Sequence, residues 1–251
     1  MIMSADKTRI IIVGSKGRMG EALIRLASKD PKLELVAGVD KEDNVLDYID
    51  RCDVLIEFAH HSLSAELAKT AVERGKALVI GTTGHTDEER QTIATAAQTI
   101  PVVFAPNFSV GVNLLFYLTK IAAETLGDEY DEEVVEMHHR LKLDAPSGTA
   151  RHLGEILADA AGGSYDALTL HGRHGDVGAR PKRVIGMHAL RGGDVVGDHT
   201  VHFSTVGERI ELTHRASSRD TFASGALRAS SWVRAQQPGL YSMQDVLGLK
   251  G

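Results

Sequence analysis

The stretch RIIIVGSKGRMG, residues 9–20, decides the fold. Ile10, Ile11, Ile12 and Val13 are four β-branched residues in a row, the composition of a strand buried on both faces. Gly14, Gly17 and Gly20 then recur at intervals of three, and helical spacing begins at Met19 and runs to Ser28. A strand, a glycine turn and a helix in this order let backbone amides approach a pyrophosphate at the positive end of the helix. Gly14, Ser15, Lys16, Gly17, Arg18 and Met19 are therefore candidate dinucleotide contacts, in a G-x-x-G-x-x-G variant of the commoner G-x-G-x-x-G run. Asp40 closes the next strand, Leu33 to Val39, where a carboxylate accepts from ribose hydroxyls. That carboxylate favours NADH, while Lys41, Lys16 or Arg18 would neutralise the extra phosphate of NADPH, so either nicotinamide cofactor is expected.

Outward from this stretch the pattern repeats. Strands are expected at Val54 to Phe58, Ala77 to Ile80 and Val102 to Phe104, with helices at Ser62 to Arg74 and at Thr86 to Thr99, the latter closed by Pro101. Strands alternating with helices imply right-handed crossovers and a doubly wound parallel sheet. Ligands in such sheets sit beyond the carboxyl ends of the strands. That places Glu57-Phe58-Ala59, Gly81-Thr82-Thr83-Gly84 and Ala105-Pro106-Asn107-Phe108 on the nicotinamide side. From Ser109 the pattern changes: a helix over Val110 to Leu126, a strand or helix over Glu133 to Leu143, and a helix from about Ser147 to Ala160. Strands then follow without helices between them, at Leu168 to Arg173, Arg183 to Arg191, Asp198 to Ser204 and Ile210 to Arg215, which favours a mixed sheet. A second domain thus covers 109–218, and the helical stretch Thr221 to Arg234 returns the chain to the first, making 1–108 and 219–251 one dinucleotide-binding domain.

Composition excludes whole classes of function. With 251 residues, 43% of them hydrophobic and 25% charged, the chain is an ordinary globular one with room for two cores. A net charge of -6, from 28 Lys+Arg against 34 Asp+Glu, argues against nucleic acid or an anionic membrane as a partner. The apolar run before Gly14 is too short for a signal peptide, and no stretch approaches the ~18 apolar residues of a membrane span. The single cysteine, Cys52, reads as a buried strand-end hydrophobe and suits a cytoplasmic protein.

The second informative stretch is EMHHRLKLDAPSGTA, residues 136–150. If it is a strand, His138, Arg140 and Lys142 share one face; if a helix, His138 and Lys142 still meet. Either way an imidazole and an ammonium come together, and their mutual repulsion favours loss of a proton from one, giving an acid/base centre. Neighbouring side chains diverge on a strand and no second cluster adds ligands, so no metal is expected. Ser147 is placed to cap a helix opened by Gly148 and Thr149, whose amides attract an anion. His139, Lys142, Gly148 and Thr149 together describe a pocket for a small molecule with more than one carboxylate.

These stretches, with GTTG at Gly81 to Gly84, APNFSVGVN at Ala105 to Asn113 and RGGDVVGDHTV at Arg191 to Val201, closely resemble the 4-hydroxy-tetrahydrodipicolinate reductase (dihydrodipicolinate reductase) family over nearly the whole chain. The resemblance implies a Rossmann-type parallel sheet domain and a smaller α+β domain that binds substrate and builds a homotetramer through its mixed sheet. The implied reaction is NAD(P)H-dependent reduction of a small cyclic dicarboxylate in the diaminopimelate route of lysine biosynthesis. It assigns acid/base work to His138, proton donation to Lys142, and substrate carboxylate binding to His139, Gly148 and Thr149. It assigns cofactor contacts to Gly14 through Met19, Asp40, Gly81, Thr82, Thr83, Ala105, Pro106, Asn107, Phe108 and the C-terminal Arg219. The chain departs from the family at Glu57-Phe58-Ala59, where Asp-Phe-Thr is usual, and in a short Lys41 to Cys52 segment. The residues alone also admit another two-domain oxidoreductase, of the aspartate or homoserine dehydrogenase kind, or a nicotinamide-binding redox sensor. The first would not need His-His-x-x-Lys, and the second would not need a proton donor beside an anion pocket.

Overall fold

The computed structural model describes residues 7–249; residues 1–6 and 250–251, which the expected nucleotide domain includes, lie outside the described residues. The chain divides into two compact units, one formed by the chain up to Val110 and from Arg219 onward, the other by Gly111–Ser218. The first unit begins with β1 (Thr8–Val13), α1 (Arg18–Ala27), β2 (Leu33–Val39), β3 (Val54–Glu57), α2 (His61–Glu73), β4 (Ala77–Ile80), α3 (Asp87–Ala96) and β5 (Pro101–Phe104). The second contains α4 (Val110–Leu126), β6 (Asp131–His138), α5 (Gly148–Ala160), α6 (Tyr165–Leu168), β7 (Thr169–His171), β8 (Ile185–Arg191), β9 (Gly197–Thr205) and β10 (Glu208–Ala216). The chain then re-enters the first unit with α7 (Asp220–Val233), β11 (Gly239–Tyr241) and α8 (Met243–Leu247). Among the described residues no helix is long and apolar enough to cross a membrane.

The first unit is a parallel sheet in the order β11-β5-β4-β3-β1-β2. Its β-branched strands explain why both faces are covered. Ile10 and Ile12 point into a core with Ala22 and Leu23 of α1 and Ala223, Ala226 and Val233 of α7. Ile11, one residue out of phase, joins the opposite core with Leu67 and Ala71 of α2 and Ile93 of α3. Each such side chain, removed from water, contributes on the order of 2 kcal/mol. The strand order reverses between β1 and β3, so a crevice opens there, where the chain runs out of β1 into the glycine turn.

In the second unit the sheet runs β10-β9-β6-β8-β7, antiparallel at β10–β9 and β9–β6 and parallel at β6–β8 and β8–β7. Its core is made by Val134, Met187, Val201 and Phe203 against Leu115 and Phe116 of α4 and Leu153 and Leu157 of α5.

Several elements differ from expectation. The run Glu133 to Leu143, expected as a strand or a helix, is a strand only as far as His138, because Lys142 N–H bonds back to His139 O and turns the chain. The helix expected over Thr86 to Thr99 begins at Asp87, with Thr86 as its cap in a reciprocal capping box with Glu89, and ends at Ala96. Pro101 does not close that helix; it opens β5, an N-terminal strand position that needs no amide donor. β11 and α8 have no counterpart in the sequence reading.

The glycine run owes its spacing to contact. Gly14 has φ +84°, and a Cβ on Gly20 would stand 2.2 Å from Gly14 O and 2.6 Å from Ser15 Cα. Both obstacles are backbone, so Gly20→Ala must push α1 off the turn. The substitution is expected to cost about 1–3 kcal/mol and to lower the thermal midpoint by roughly 5 °C. An unchanged midpoint in calorimetry would show that α1 does not pack here as described.

Candidate active site

The first unit presents a cavity of about 660 Å³ at the crevice beside β1. It is lined by Gly14, Lys16, Gly17 and Asp40 among the expected residues, with Val45, Ala59 and Leu67 opposite. A volume of this size suits a small organic ligand or one end of a larger one. Asp40 is held by backbone N–H groups of Lys16 and Lys41, both at 2.9 Å, and these bonds keep its carboxyl below the usual range. The aspartate therefore also shapes the glycine turn. Ser15 is buried within that turn, whereas Lys16 and Arg18 are exposed and Met19 packs on the core.

Gly81, Thr82 and Thr83 follow β4, and Ala105 to Phe108 follow β5, at the same carboxyl edge of the sheet. Ala105 and Phe108 are buried in the core, so only their backbone can face a ligand. Arg219 is the N-cap residue of α7, next to Asp220, which pairs with Arg25 at 2.5 Å. Arg219, Gly81–Thr83 and Ala105–Phe108 are not among the residues lining the cavity beside Asp40, but Thr82 adjoins its wall through Ala59, whose N–H lies 3.0 Å from Thr82 Oγ1.

The second unit gathers a polar cluster on the helix-covered face of its sheet. Alternation along β6 buries Val134, Glu136 and His138, and register pairs Glu136 with His199 on β9 and His138 with Arg191 on β8. Glu136, only 1% exposed, receives four hydrogen bonds: His138 Nδ1 at 2.6 Å, both terminal nitrogens of Arg191 at 2.9 Å, and Ser147 N at 3.0 Å. Burial alone would raise its pKa, but the bonds from His138, Arg191 and Ser147 outweigh burial and hold it at about 2.

Ser147 completes the cluster. Its Oγ caps Ala150 N at 3.1 Å and lies 3.0 Å from His199 Nε2, so α5 starts inside the cluster and Gly148 and Thr149 supply its first amides. The rings of His138 and His199 meet edge to face, 5.1 Å apart. Burial and the neighbouring charge of His138 push His199 down to about 3, so it is neutral. His138 Nδ1 faces Glu136, and a Cβ on Gly197 would lie 2.9 Å from Nε2 of that ring, so the absence of a side chain leaves this nitrogen room.

The expected pairing of His138 with Lys142 takes a different form. Because β6 ends at His138, Lys142 does not share its strand face; it lies in the following turn and pairs with Asp144 at 2.8 Å, lowering that carboxyl. Asp144 O in turn accepts from Arg191 at 2.6 Å. The imidazole kept neutral among these cations is His199, which the sequence reading did not single out. His139 is fastened through its backbone to Val195 O, and its buried Nδ1 has no hydrogen-bonding partner among the described residues. Glu136, Arg191 and His199 are the members that sequence reasoning missed. The signal for them was the GGDVVGDH segment beside EMHH, which only sheet register turns into contacts.

The model described as "Dihydrodipicolinate reductase, N-terminus" matches residues 8–108, and the one described as "Dihydrodipicolinate reductase, C-terminus" matches 111–247. A protein of Akkermansia muciniphila named 4-hydroxy-tetrahydrodipicolinate reductase is 55% identical over 96% of this chain and 98% of its own length. One of the same name from Hahella chejuensis is 48% identical over 97% of this chain and 100% of its own. Among solved structures, dipicolinate-bound dihydrodipicolinate reductase from Paenisporosarcina sp. TG-14 superposes with a TM-score of 0.79, covering 95% of this chain and 98% of that one at 24% identity, which shows the shared fold.

The cluster makes a prediction about acid. His199 has a folded pKa near 3 against an ordinary 6.5, and Glu136 one near 2 against 4.5. Both are depressed, so their contributions are complete above the unfolded pKa and are lost as pH falls towards the folded one. His199 should therefore remove stability from about pH 6.5 downward, opposed in that window by Glu132, whose carboxyl burial raises to about 7, and net stability should fall below about pH 4.5 as Glu136 joins. His199→Gln should lower the slope between pH 6.5 and 4.5 by roughly one proton, leaving the smaller share of His85 and His214, whose pKa values burial also lowers, and the opposing share of Glu132 and Glu57, whose carboxyls burial raises. Denaturant melts across this range that show equal slopes for both proteins would mean His199 is not buried neutral.

Proposed function

The chain belongs to the dihydrodipicolinate reductase family, and on that premise we propose that it is an NAD(P)H-dependent oxidoreductase that reduces 4-hydroxy-tetrahydrodipicolinate to tetrahydrodipicolinate in the diaminopimelate route of lysine biosynthesis. The observation that carries this reading is the meeting of an oriented imidazole, His138, with the anion-attracting start of α5 around one buried carboxylate.

The glycine turn, the cavity beside it and Asp40 fit a dinucleotide: the turn packs without side chains and the carboxylate is oriented by two backbone donors. When bound, the cofactor supplies a hydride to the electrophilic ring carbon of the substrate. Asp40 favours NADH, and the exposed Lys16, Arg18 and Lys41 admit NADPH. Thr82, Thr83, Gly81, the Ala105–Phe108 backbone and Arg219 serve the nicotinamide side.

In the second unit the Gly148 and Thr149 amides, at the positive end of α5, hold one substrate carboxylate, and His139 contributes to the same pocket. Glu136 keeps the His138 Nδ1 as a donor, which leaves Nε2 for the substrate. His138 Nε2 or Lys142 Nζ then delivers a proton where negative charge develops. The sheet face opposite the helices, carrying Val135, Met137 and the half-exposed Leu190, is the surface for assembly into a homotetramer. The single, buried Cys52 accords with a cytoplasmic enzyme.

Turnover with synthase-generated substrate, followed through oxidation of NADH and of NADPH after subtraction of the substrate-free rate, tests the reading. Substrate-dependent oxidation is expected with both cofactors. No oxidation above background with either would contradict it. Lys142→Ala is expected to lower kcat by about 100-fold or more while leaving NADH affinity unchanged; an unchanged kcat would remove Lys142 from the mechanism.

A further inference from the structure

Glu57 ends β3 with its side chain completely buried. A carboxylate in such a place normally meets a cation. Here the hydrogen-bonding partners are neutral: Thr82 Oγ1 donates at 2.5 Å, Ala59 N at 2.7 Å and Ser64 Oγ at 2.9 Å. Burial raises the carboxyl and these three donors oppose the rise. An apolar residue would be buried at less cost, so a packing role does not account for Glu57.

Its partners lie in separate elements. Ala59 follows β3 and lines the cavity beside Asp40; Thr82 follows β4; Ser64 is on α2 and is itself held by the buried His85 at 2.8 Å. Ala59 N is also 3.0 Å from Thr82 Oγ1, so the two loops are tied directly to each other and doubly through Glu57. These are loops at the carboxyl edge of the sheet, where a ligand binds.

We propose that Glu57 is a positioning residue for the nicotinamide cofactor, fixing the Ala59 backbone and the Thr82 hydroxyl so that the two strand-end loops form one preset surface. The proposal rests on the cofactor reading above. Glu57 acts through those two residues and does not itself touch the cofactor. A carboxylate accepts from all three donors at once, and glutamate, one methylene longer than aspartate, is the length that reaches them here.

The test measures NADH affinity by fluorescence titration, well below the melting temperature, together with thermal stability and the split between KM for NADH and kcat. Glu57→Met, which removes the carboxylate that Ala59 N, the Thr82 hydroxyl and the Ser64 hydroxyl share and leaves only the Ala59 N to Thr82 Oγ1 bond between the loops, is expected to weaken NADH binding by about tenfold or more. Glu57→Gln keeps one acceptor oxygen and should restore affinity to within about threefold of wild type. KM for NADH should rise more than kcat falls. Thr82→Val combined with Glu57→Met should be no weaker than the worse single variant, because both break one network. Should Glu57→Met fail to fold, Glu57→Asp, which keeps the charge and shortens the reach, is expected to weaken NADH binding in the same way. Wild-type protein that binds neither NADH nor NADPH would overturn the cofactor reading itself. Wild-type protein that binds, alongside Glu57 variants that lose thermal stability but bind NADH equally well, would show Glu57 to be structural and overturn this proposal alone.

Discussion

One carboxylate organises the second unit. Glu136 lies in the middle of a sheet, out of reach of water, and is tolerable there only because four hydrogen bonds fill its acceptor sites. Those bonds come from three places far apart in sequence: the end of its own strand, the end of β8, and the residue that caps α5. Meeting the needs of a buried charge thus fixes where the imidazole, the guanidinium and the helix start must be. A second, half-buried carboxylate, Glu133 on the opposite face of β6, does similar work for the loop after β7. Burial would raise it, but Arg173, His188 and Arg180 hold it at about 2.

The first unit solves a different problem by different means. Its binding crevice follows from backbone geometry, with a positive-φ glycine, a helix laid against the turn and an aspartate held by amides of the loops it orders. Few charges are buried there, and Glu57 is the exception. In the proposed reaction this division suits the two ligands. The cofactor is long and phosphate-bearing, so it is gripped by backbone, whereas the substrate is small and doubly charged and needs a proton delivered at one atom, so it is met by oriented side chains.

Much of this was legible in the sequence because it is local. The β-branched run at Ile10 to Val13 and the apolar run at Val54 to Ile56 read as buried strands, and glycines at intervals of three mark a turn that packs on its own helix. Ser147 as a helix cap was equally plain, since the Pro-Ser-Gly order precedes an apolar helical pattern. What could not be read is what depends on register. Nothing in GGDVVGDH says that His199 faces Glu136 or that Arg191 stands beside His138; these follow from how β6 pairs with β8 and β9. The end of β6 was misjudged because alternation of charged and apolar residues continues to Leu143, although the backbone has already turned. β11 escaped notice because Gly239, Leu240 and Tyr241 carry no periodic signal, and they become a strand only by adding to the edge of β5.

In the proposed reaction, one acceptor-only group orders both the acid/base imidazole and the anion-binding helix start. Glu136→Gln tests it most directly, because glutamine keeps the size of the side chain but offers a single oxygen to four donors and turns its own N–H₂ towards them. Turnover and calorimetric titration with pyridine-2,6-dicarboxylate should be measured on the same preparation, with NADH affinity as the control from the other unit. Both kcat and dicarboxylate affinity are expected to fall by about tenfold or more while NADH affinity is unchanged. Wild-type turnover together with wild-type dicarboxylate affinity in Glu136→Gln would contradict that ordering role.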